Sequence, residues 1–343
     1  MQRQKTKGLA IKIILWYNII VMRKWCIDNE NQIKLVENLV TRGEDEVKVK
    51  MSKVALSADD IVHFYSDSEH IVPGHSGVAY VSEADESLGF RLGSRVIVSP
   101  FIKGEKFGVE KIDVLGVNKD GLLVDFVSLP AENVYSIPDG ISDDEAIFTD
   151  YVALGSNIIE SMDCQKGDYI LISSASTVGL ILAQIAIYYQ LVPILVDINS
   201  DNLKLAQKWG VYYTLNPMFD NLERRVEEIT GGRMCEFAVF TGDSVAFANI
   251  ARLVKENGVV IVSGYSSHKK HQLDMNIILE KKLTVKGVAH GYGEMSSAIN
   301  LLANKIIKID GVITEKVYFE DVPAMIEKCV EYPYQYNNIL IEI

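Results

Sequence analysis

Residues 172 to 180 read ISSASTVGL, and Asp197 follows 18 residues beyond Gly179. A dinucleotide-binding turn needs this kind of arrangement. Glycines let the chain bend sharply and approach a diphosphate, the first N–H groups of a helix attract phosphate, and a carboxylate about 20 residues on accepts hydrogen bonds from ribose hydroxyls. Here the pattern G-x-G-x-x-G keeps only its last glycine. Ser174 and Ser176 stand where the first two would be, each with a Cβ, so the loop cannot trace the usual path. What remains is Gly179 for close helix-to-strand packing, the amides around Thr177 and Val178, and the hydroxyls of Ser174, Ser176 and Thr177 as further donors to phosphate oxygens. Asp197 repels a 2′-phosphate, which favours NAD(H) over NADP(H). The plainer alternative is that Asp197 opens a turn into a helix capped by Ser200, and spacing alone leaves both readings open.

The elements that must position these groups are legible nearby. Residues 169–173 form a short apolar run of buried-strand length after Gly167 and Asp168, positions 178, 181, 182, 185, 186 and 189 keep helical spacing, and residues 192–196 are a second apolar run. The unit predicted is strand, loop, helix, strand. At 343 residues the chain exceeds one compact core, and 48% apolar residues suit a globular protein of two domains. With 34 Lys and Arg against 46 Asp and Glu, the net charge of −12 disfavours nucleic acid as a partner. Cys26, Cys164, Cys235 and Cys329 lie far apart without a C-x-x-C pair, which points to reduced thiols in a cytoplasmic protein and to no cysteine-rich zinc site. MQRQKTK followed by GLAIKIILWYNIIV has the outline of a signal peptide, but Lys12 and Asn18 interrupt it, no cleavage site follows and it is too short to span a bilayer. Residues 1–21 are therefore expected to be an extension before Met22, no membrane partner is expected, and MRKWCIDNENQIKLVEN alternates like an opening strand.

Longer stretches carry a family likeness. VPGHSGVAYVSEADESLGFRLGSRVIVSP, KDGLLVDFVSLPAENVYSIPDGISDDEA, VDINSDNLKLAQKWG, LVKENGVVIVSGYSS and LEKKLTVKGVAHGYGEMSSAINLLANKIIKIDGVIT follow one another in the order of the medium-chain dehydrogenase/reductase superfamily, and from about Met22 onward the chain resembles that group of zinc alcohol dehydrogenases and zinc-free quinone reductases. SASTVGL is similar to the A-S-S-S-V-G-L loop of zinc-free members. The resemblance implies an α/β fold with a GroES-like, partly open β-barrel at 22–145 completed by 291–343. Between them, at 146–290, would lie a doubly wound Rossmann domain, with the active site in the cleft between domains. It also implies a homodimer or homotetramer joined through the later sheet strand. Ser263, Gly264 and Val288 become candidate cofactor neighbours, or else simple strand-end turns.

In the zinc branch a Cys, a His with an adjacent Glu and a third Cys, Asp or Glu hold an ion that polarises the alcohol oxygen. The resemblance puts Ser57 at the cysteine ligand, Asp60 at the supporting aspartate, His75 at the histidine ligand with Ser76 in place of the glutamate, and Asp150 at the third ligand. His75 and Asp150 are thus metal-capable but the set is incomplete, because a serine hydroxyl is a poor zinc ligand. His63 is a substitute donor by position only. FIKGEKFGVEKIDVLG, where some relatives hold structural zinc, contains no cysteine. Without metal, His75 would pass a proton with Asp150 as its orienting partner, or both would be inherited scaffold. Asp59 and Val62 replace the relay residues of relatives. The function expected is an NAD(H)-dependent oxidoreductase moving hydride to or from a small alcohol, polyol or carbonyl substrate, without a standard catalytic zinc. The alternatives are a zinc-independent quinone or enone reductase and a cofactor-binding protein with little catalysis.

Overall fold

The computed structural model describes residues 20–27, 33–57, 60–61, 71–106, 108–241, 247–263, 275–332 and 335–343. The expected N-terminal extension lies outside the described residues except for the backbone at its end. The chain divides into two compact units. One comprises Met1–Ile137, Lys316–Pro333 and Ile339–Ile343, the other Pro138–Glu315 and Tyr334–Asn338.

The first unit is built of strands. β1 (Ile20–Ile27) and β2 (Ile33–Val40) pair antiparallel, with Arg23 opposite Glu37, so the single opening strand expected from the alternation is two strands of a hairpin. The alternation is the same for one long strand and for two short ones, and only the polar stretch between them separates the cases. β3 (Glu46–Ser57) buries Val47, Val49 and Met51 on one face, as a period of two dictates. β4 (Ser76–Glu83), β5 (Arg95–Val98), the hairpin of β6 (Phe101–Lys106) and β7 (Val109–Val114), β8 (Phe126–Pro130) and β9 (Val134–Ser136) follow. Arg23 anchors β1. Its backbone N–H donates to Asp125 Oδ1 at 2.7 Å and its Nε to Oδ2 at 2.9 Å, while Trp25 Nε1 donates to the Phe319 carbonyl at 2.7 Å.

The second unit opens with α1 (Asp143–Ala146), whose Ser142 and Glu145 form a capping box, and α2 (Thr149–Glu160). β10 (Tyr169–Ser173), α3 (Thr177–Tyr188), β11 (Val192–Val196), α4 (Ser200–Lys208), β12 (Tyr213–Leu215), α5 (Leu222–Thr230), β13 (Cys235–Phe240), α6 (Phe247–Arg252), β14 (Val254–Ser263), α7 (Met275–Lys281), β15 (Thr284–Val288) and α8 (Met295–Ala303) complete it. The sequence reading ended this domain at 290, whereas α8 falls in this unit. The strands run in the order β12-β11-β10-β13-β14-β15, each pair parallel. Order reverses between β10 and β13, which creates a crevice at their carboxyl ends. β10 and β11 are nearly continuous apolar runs because a parallel sheet is covered on both faces. Pro193 is tolerated in β11 because it pairs with Ile170 at a level where β12, which first pairs at Ile194, has not begun.

Asn199, rather than Ser200, caps α4. Its side-chain oxygen accepts from Asp201 N at 2.9 Å and Asn202 N at 3.3 Å, which an extended residue just outside the helix can reach and one already in the first turn cannot. β16 (Ile313–Tyr318), α9 (Val322–Glu331) and β17 (Asn338–Glu342) close the chain, and β16-β17-β3-β4-β5-β9 form a seven-stranded sheet with β8 beside β3. No helix among the described residues is long and apolar enough to cross a membrane.

Two carboxylates make this fold sensitive to acid. Burial alone would raise Glu236, but the Tyr169 N–H at 2.8 Å and Lys255 at 3.1 Å hold it below the ordinary 4.5. Glu145 is likewise pushed up by burial and brought below 4.5 by Lys305 and by the Ser142 backbone and hydroxyl. A folded-state pKa below the unfolded value adds stability that is complete above 4.5 and is lost as pH falls through the lower folded value. The urea midpoint should therefore drop on crossing 4.5 from above, and Glu236→Gln should shrink that drop. An unchanged difference in the variant would show that Glu236 does not carry it.

Candidate functional site

The serine-rich loop leaves β10 at Ser173 and enters α3 at Thr177. Ser174 takes φ = 105°, a left-handed conformation that serine rarely adopts and glycine adopts freely. Four restraints hold it there. Its N–H donates to the Val196 carbonyl at 2.8 Å. Its Oγ accepts from Ser176 N at 3.2 Å, and the next amide, Ala175 N, donates to Asp197 Oδ2 at 2.6 Å. The fourth restraint is Gly179, where an added Cβ would meet the Ser174 carbonyl oxygen at 1.9 Å. The absence of a side chain at 179 is what allows the helix to pack against the bend.

The first bond inside α3 runs from Leu180 N to the Ser176 carbonyl at 2.8 Å, so the N–H groups of Thr177, Val178 and Gly179 lie ahead of any helical acceptor. Ser176, the N-cap, makes no side-chain cap bond, and its Oγ is buried without a partner among the described residues. Thr177 Oγ1 accepts from Asn338 Nδ2, and the Oδ1 of the fully buried Asn338 is also unpartnered. Amides without helical acceptors beside the orphaned Ser176 hydroxyl are donors that a phosphate would satisfy.

Register brings further groups to the same sheet edge. Ser173 pairs with Val196 on one side and Phe240 on the other, so Asp197, Ser174 and Thr241 emerge side by side, and Ser263 pairs with Val288 further along. Asp197 is buried. Its Oδ1 accepts from Asn199 N at 2.7 Å, so each carboxylate oxygen holds one backbone amide. Thr241 Oγ1 donates to the Ser173 carbonyl at 2.8 Å, at the point where strand order reverses. Ser263 Oγ is buried and without a partner among the described residues, and Val288 is buried. Gly264 lies outside the described residues.

Sequence reasoning missed Thr241 and Asn338. Thr241 ends the apolar run CEFAVF and could have been marked as a strand end at the crevice. Asn338 carries no local signal, since 161 residues separate it from Thr177.

In the first unit His75 follows Val72–Gly74, which is pinned by Gly121 N donating to the Val72 carbonyl at 2.7 Å and Leu122 N to the Gly74 carbonyl at 2.8 Å. A Cβ on Gly121 would lie 2.4 Å from the Gly74 oxygen, so only glycine permits this approach. His75 Nε2 lies 3.3 Å from Asp60 Oδ1, and Ser76 Oγ lies 3.3 Å from His75 Nδ1. Ser57 Oγ donates to Asp60 Oδ2 at 2.8 Å and accepts from Asp60 N at 3.1 Å, while Ser57 N donates to the same Oδ2 at 2.7 Å. The supposed ligand Ser57 is thus bonded reciprocally to Asp60 through its backbone N–H and its hydroxyl. Burial would raise the Asp60 carboxyl, but attraction to His75 and the bonds from His75 and Ser57 hold it below its ordinary value. Asp60, expected as the supporting aspartate, thus presents a carboxylate oxygen to His75 Nε2. Asp150 is buried in the first turn of α2, in the second unit. Asp59, Val62 and His63 lie outside the described residues. Among the described residues no group of three or more His, Cys, Asp or Glu is arranged to hold a metal ion.

Comparison with known proteins agrees with this architecture. A model of the zinc-binding dehydrogenase family matches residues 177–304, and a model of the alcohol dehydrogenase GroES-like domain matches residues 43–139. An uncharacterized zinc-type alcohol dehydrogenase-like protein of Haemophilus influenzae is 25% identical over 331 residues, 92% of this chain and 96% of its own length. An L-threonine 3-dehydrogenase of Vibrio cholerae is 28% identical over 305 residues, 81% of this chain and 87% of its own. Among solved structures, a short chain alcohol dehydrogenase of Escherichia coli complexed with NADH superposes with a TM-score of 0.82 at 20% identity, covering 94% of this chain and 99% of its own. A putative zinc-binding dehydrogenase of Sinorhizobium meliloti bound to NADP gives 0.81 at 18% identity, with 94% and 100% covered. The fold expected from sequence, a GroES-like barrel with a doubly wound Rossmann domain, is borne out.

Gly179→Ala should force the bend and the helix head apart. Overpacking of this kind costs about 1–3 kcal/mol, and NADH affinity should fall alongside the urea midpoint. Full retention of both would contradict the close packing at 179.

Proposed function

Because the chain belongs to the medium-chain dehydrogenase/reductase superfamily, we propose that it is an NAD(H)-dependent oxidoreductase moving hydride to or from a small alcohol, polyol or carbonyl substrate without a catalytic zinc ion. The observation that carries the cofactor half is the head of α3, with amides lacking helical acceptors beside the orphaned Ser176 hydroxyl and Asp197 at the neighbouring strand end. When bound, the nicotinamide supplies or accepts the hydride.

The chain's own residues bind and orient. Thr177, Val178 and Gly179 direct N–H groups at a diphosphate, with Ser174 and Ser176 beside them. Asp197 accepts from ribose hydroxyls and repels a 2′-phosphate, the basis for preferring NAD(H). Ser263 and Val288 stand as neighbours of the nicotinamide end. His75, held by Asp60 and Ser76, is the group that takes up or releases a proton. Relatives named for dehydrogenation at carbon 3 of L-threonine support a hydroxyl-bearing substrate.

Zinc does not fit the donor set. Ser57 offers a hydroxyl already donated to Asp60, and both ring nitrogens of His75 have polar neighbours at 3.3 Å. The same closed cluster favours a second reading, a cofactor-binding protein with little turnover, since the proton-handling group is fully engaged. NADH consumption against a panel of aldehydes, ketones, enones and quinones, before and after dialysis against a chelator, separates these. Turnover that survives chelation is expected. Binding without turnover would favour the second reading, and activity lost on chelation and restored by zinc would overturn the metal-free one.

A further inference from the structure

We propose that Asp197 is a positioning residue for the diphosphate loop: by holding the Ala175 N–H it keeps Ser174 in the left-handed conformation that a glycine would supply unaided, so it governs phosphate binding as well as recognition of the adenosine ribose. The inference rests on the cofactor reading above and deepens it.

A serine at φ = 105° is strained, and strain of this kind persists only where the surroundings over-determine it. The restraints at Ser174 are unequal. The bond from its N–H to Val196 continues the strand pairing and does not fix the rotation that follows. Its Oγ bond to Ser176 N at 3.2 Å is neutral and long. The Ala175 N–H to Asp197 Oδ2 bond, at 2.6 Å, is buried and charge-assisted, the strongest type available. It acts on the peptide plane immediately after Ser174, the plane that turns if φ relaxes to a negative value.

The carboxylate is itself oriented. Asn199 N holds Oδ1 at 2.7 Å, and the pairing of Ser173 with Val196 sets Asp197 directly across from the bend. Releasing Ala175 would let Ser174 relax, draw its carbonyl away from Gly179 and swing the amides of Thr177 and Val178 off the phosphate. A glycine at 174 would follow the same path without restraint, and the dependence on the acid would vanish.

Reduced nicotinamide mononucleotide separates the two roles of Asp197, because it carries a phosphate but no adenosine ribose. NADH and the mononucleotide are titrated by nicotinamide fluorescence into the wild-type protein, Asp197→Asn and the double variant Ser174→Gly/Asp197→Asn, with folding followed by circular dichroism. Asp197→Asn should weaken the mononucleotide by roughly tenfold or more, the loss of one charged hydrogen bond. The double variant should recover mononucleotide binding while NADH stays weak, because the ribose acceptor is still altered. Failure of Asp197→Asn to fold, with folding and mononucleotide binding regained in the double variant, would equally support the proposal. Unchanged mononucleotide affinity in Asp197→Asn would reduce the residue to a ribose ligand, and loss that Ser174→Gly does not rescue would reduce it to a general structural role. Either result overturns the proposal. If wild-type protein binds neither probe, the cofactor reading itself fails, an outcome distinct from the other two.

Discussion

A buried hydrogen bond of 2.6 Å between Ala175 N and the Asp197 carboxylate sits at the centre of the second unit's chemistry. It joins the ends of two adjacent parallel strands at the place where one of them must turn into a helix. Upstream of it lies the strand pairing that sets Ser173 beside Val196, and downstream lies a helix head with amides directed away from any internal acceptor. Remove the pairing and the carboxylate has nothing to grip; remove the carboxylate and the bend has only neutral contacts to resist a disfavoured φ. Close packing at Gly179 completes the arrangement from the helix side, because any side chain there would collide with the carbonyl the bend turns inward.

The first unit follows a parallel logic with a different result. Glycine contacts around Val72–Gly74 fix His75, and the position that a thiolate ligand would take is a serine bonded reciprocally to Asp60. A hydroxyl engaged on both its donor and acceptor sides has little left for a metal ion. Burial would raise the Asp60 carboxyl, and attraction to His75 together with the hydrogen bonds from His75 and Ser57 holds it below its ordinary value.

Much of this was legible from short-range pattern. The limits of β10 and β11 follow from apolar runs broken by polar and glycine residues, and both strands fall where those runs predict. The amphipathic spacing from Val178 places α3 to within a residue of its start at Thr177. The hairpin at the start was not legible, because period-two alternation continues through both strands and reversal is decided by pairing. The cap at Asn199 lay one residue from the expected one, a difference fixed by backbone conformation rather than residue type. Asn338 and the Asp60 partnership of His75 needed the folded chain, since each joins segments that sequence spacing cannot bring together. The left-handed Ser174 was foreshadowed only as a cost, the missing glycine, and its remedy became visible with the position of Asp197.

A loop with a single glycine should still form a dinucleotide site, and isothermal calorimetry of NADH against the purified chain checks this. A saturable heat with one site per chain is expected, abolished when the protein is first saturated with ADP-ribose. Absence of any saturable heat at millimolar NADH, or heat that ADP-ribose leaves untouched, would contradict it.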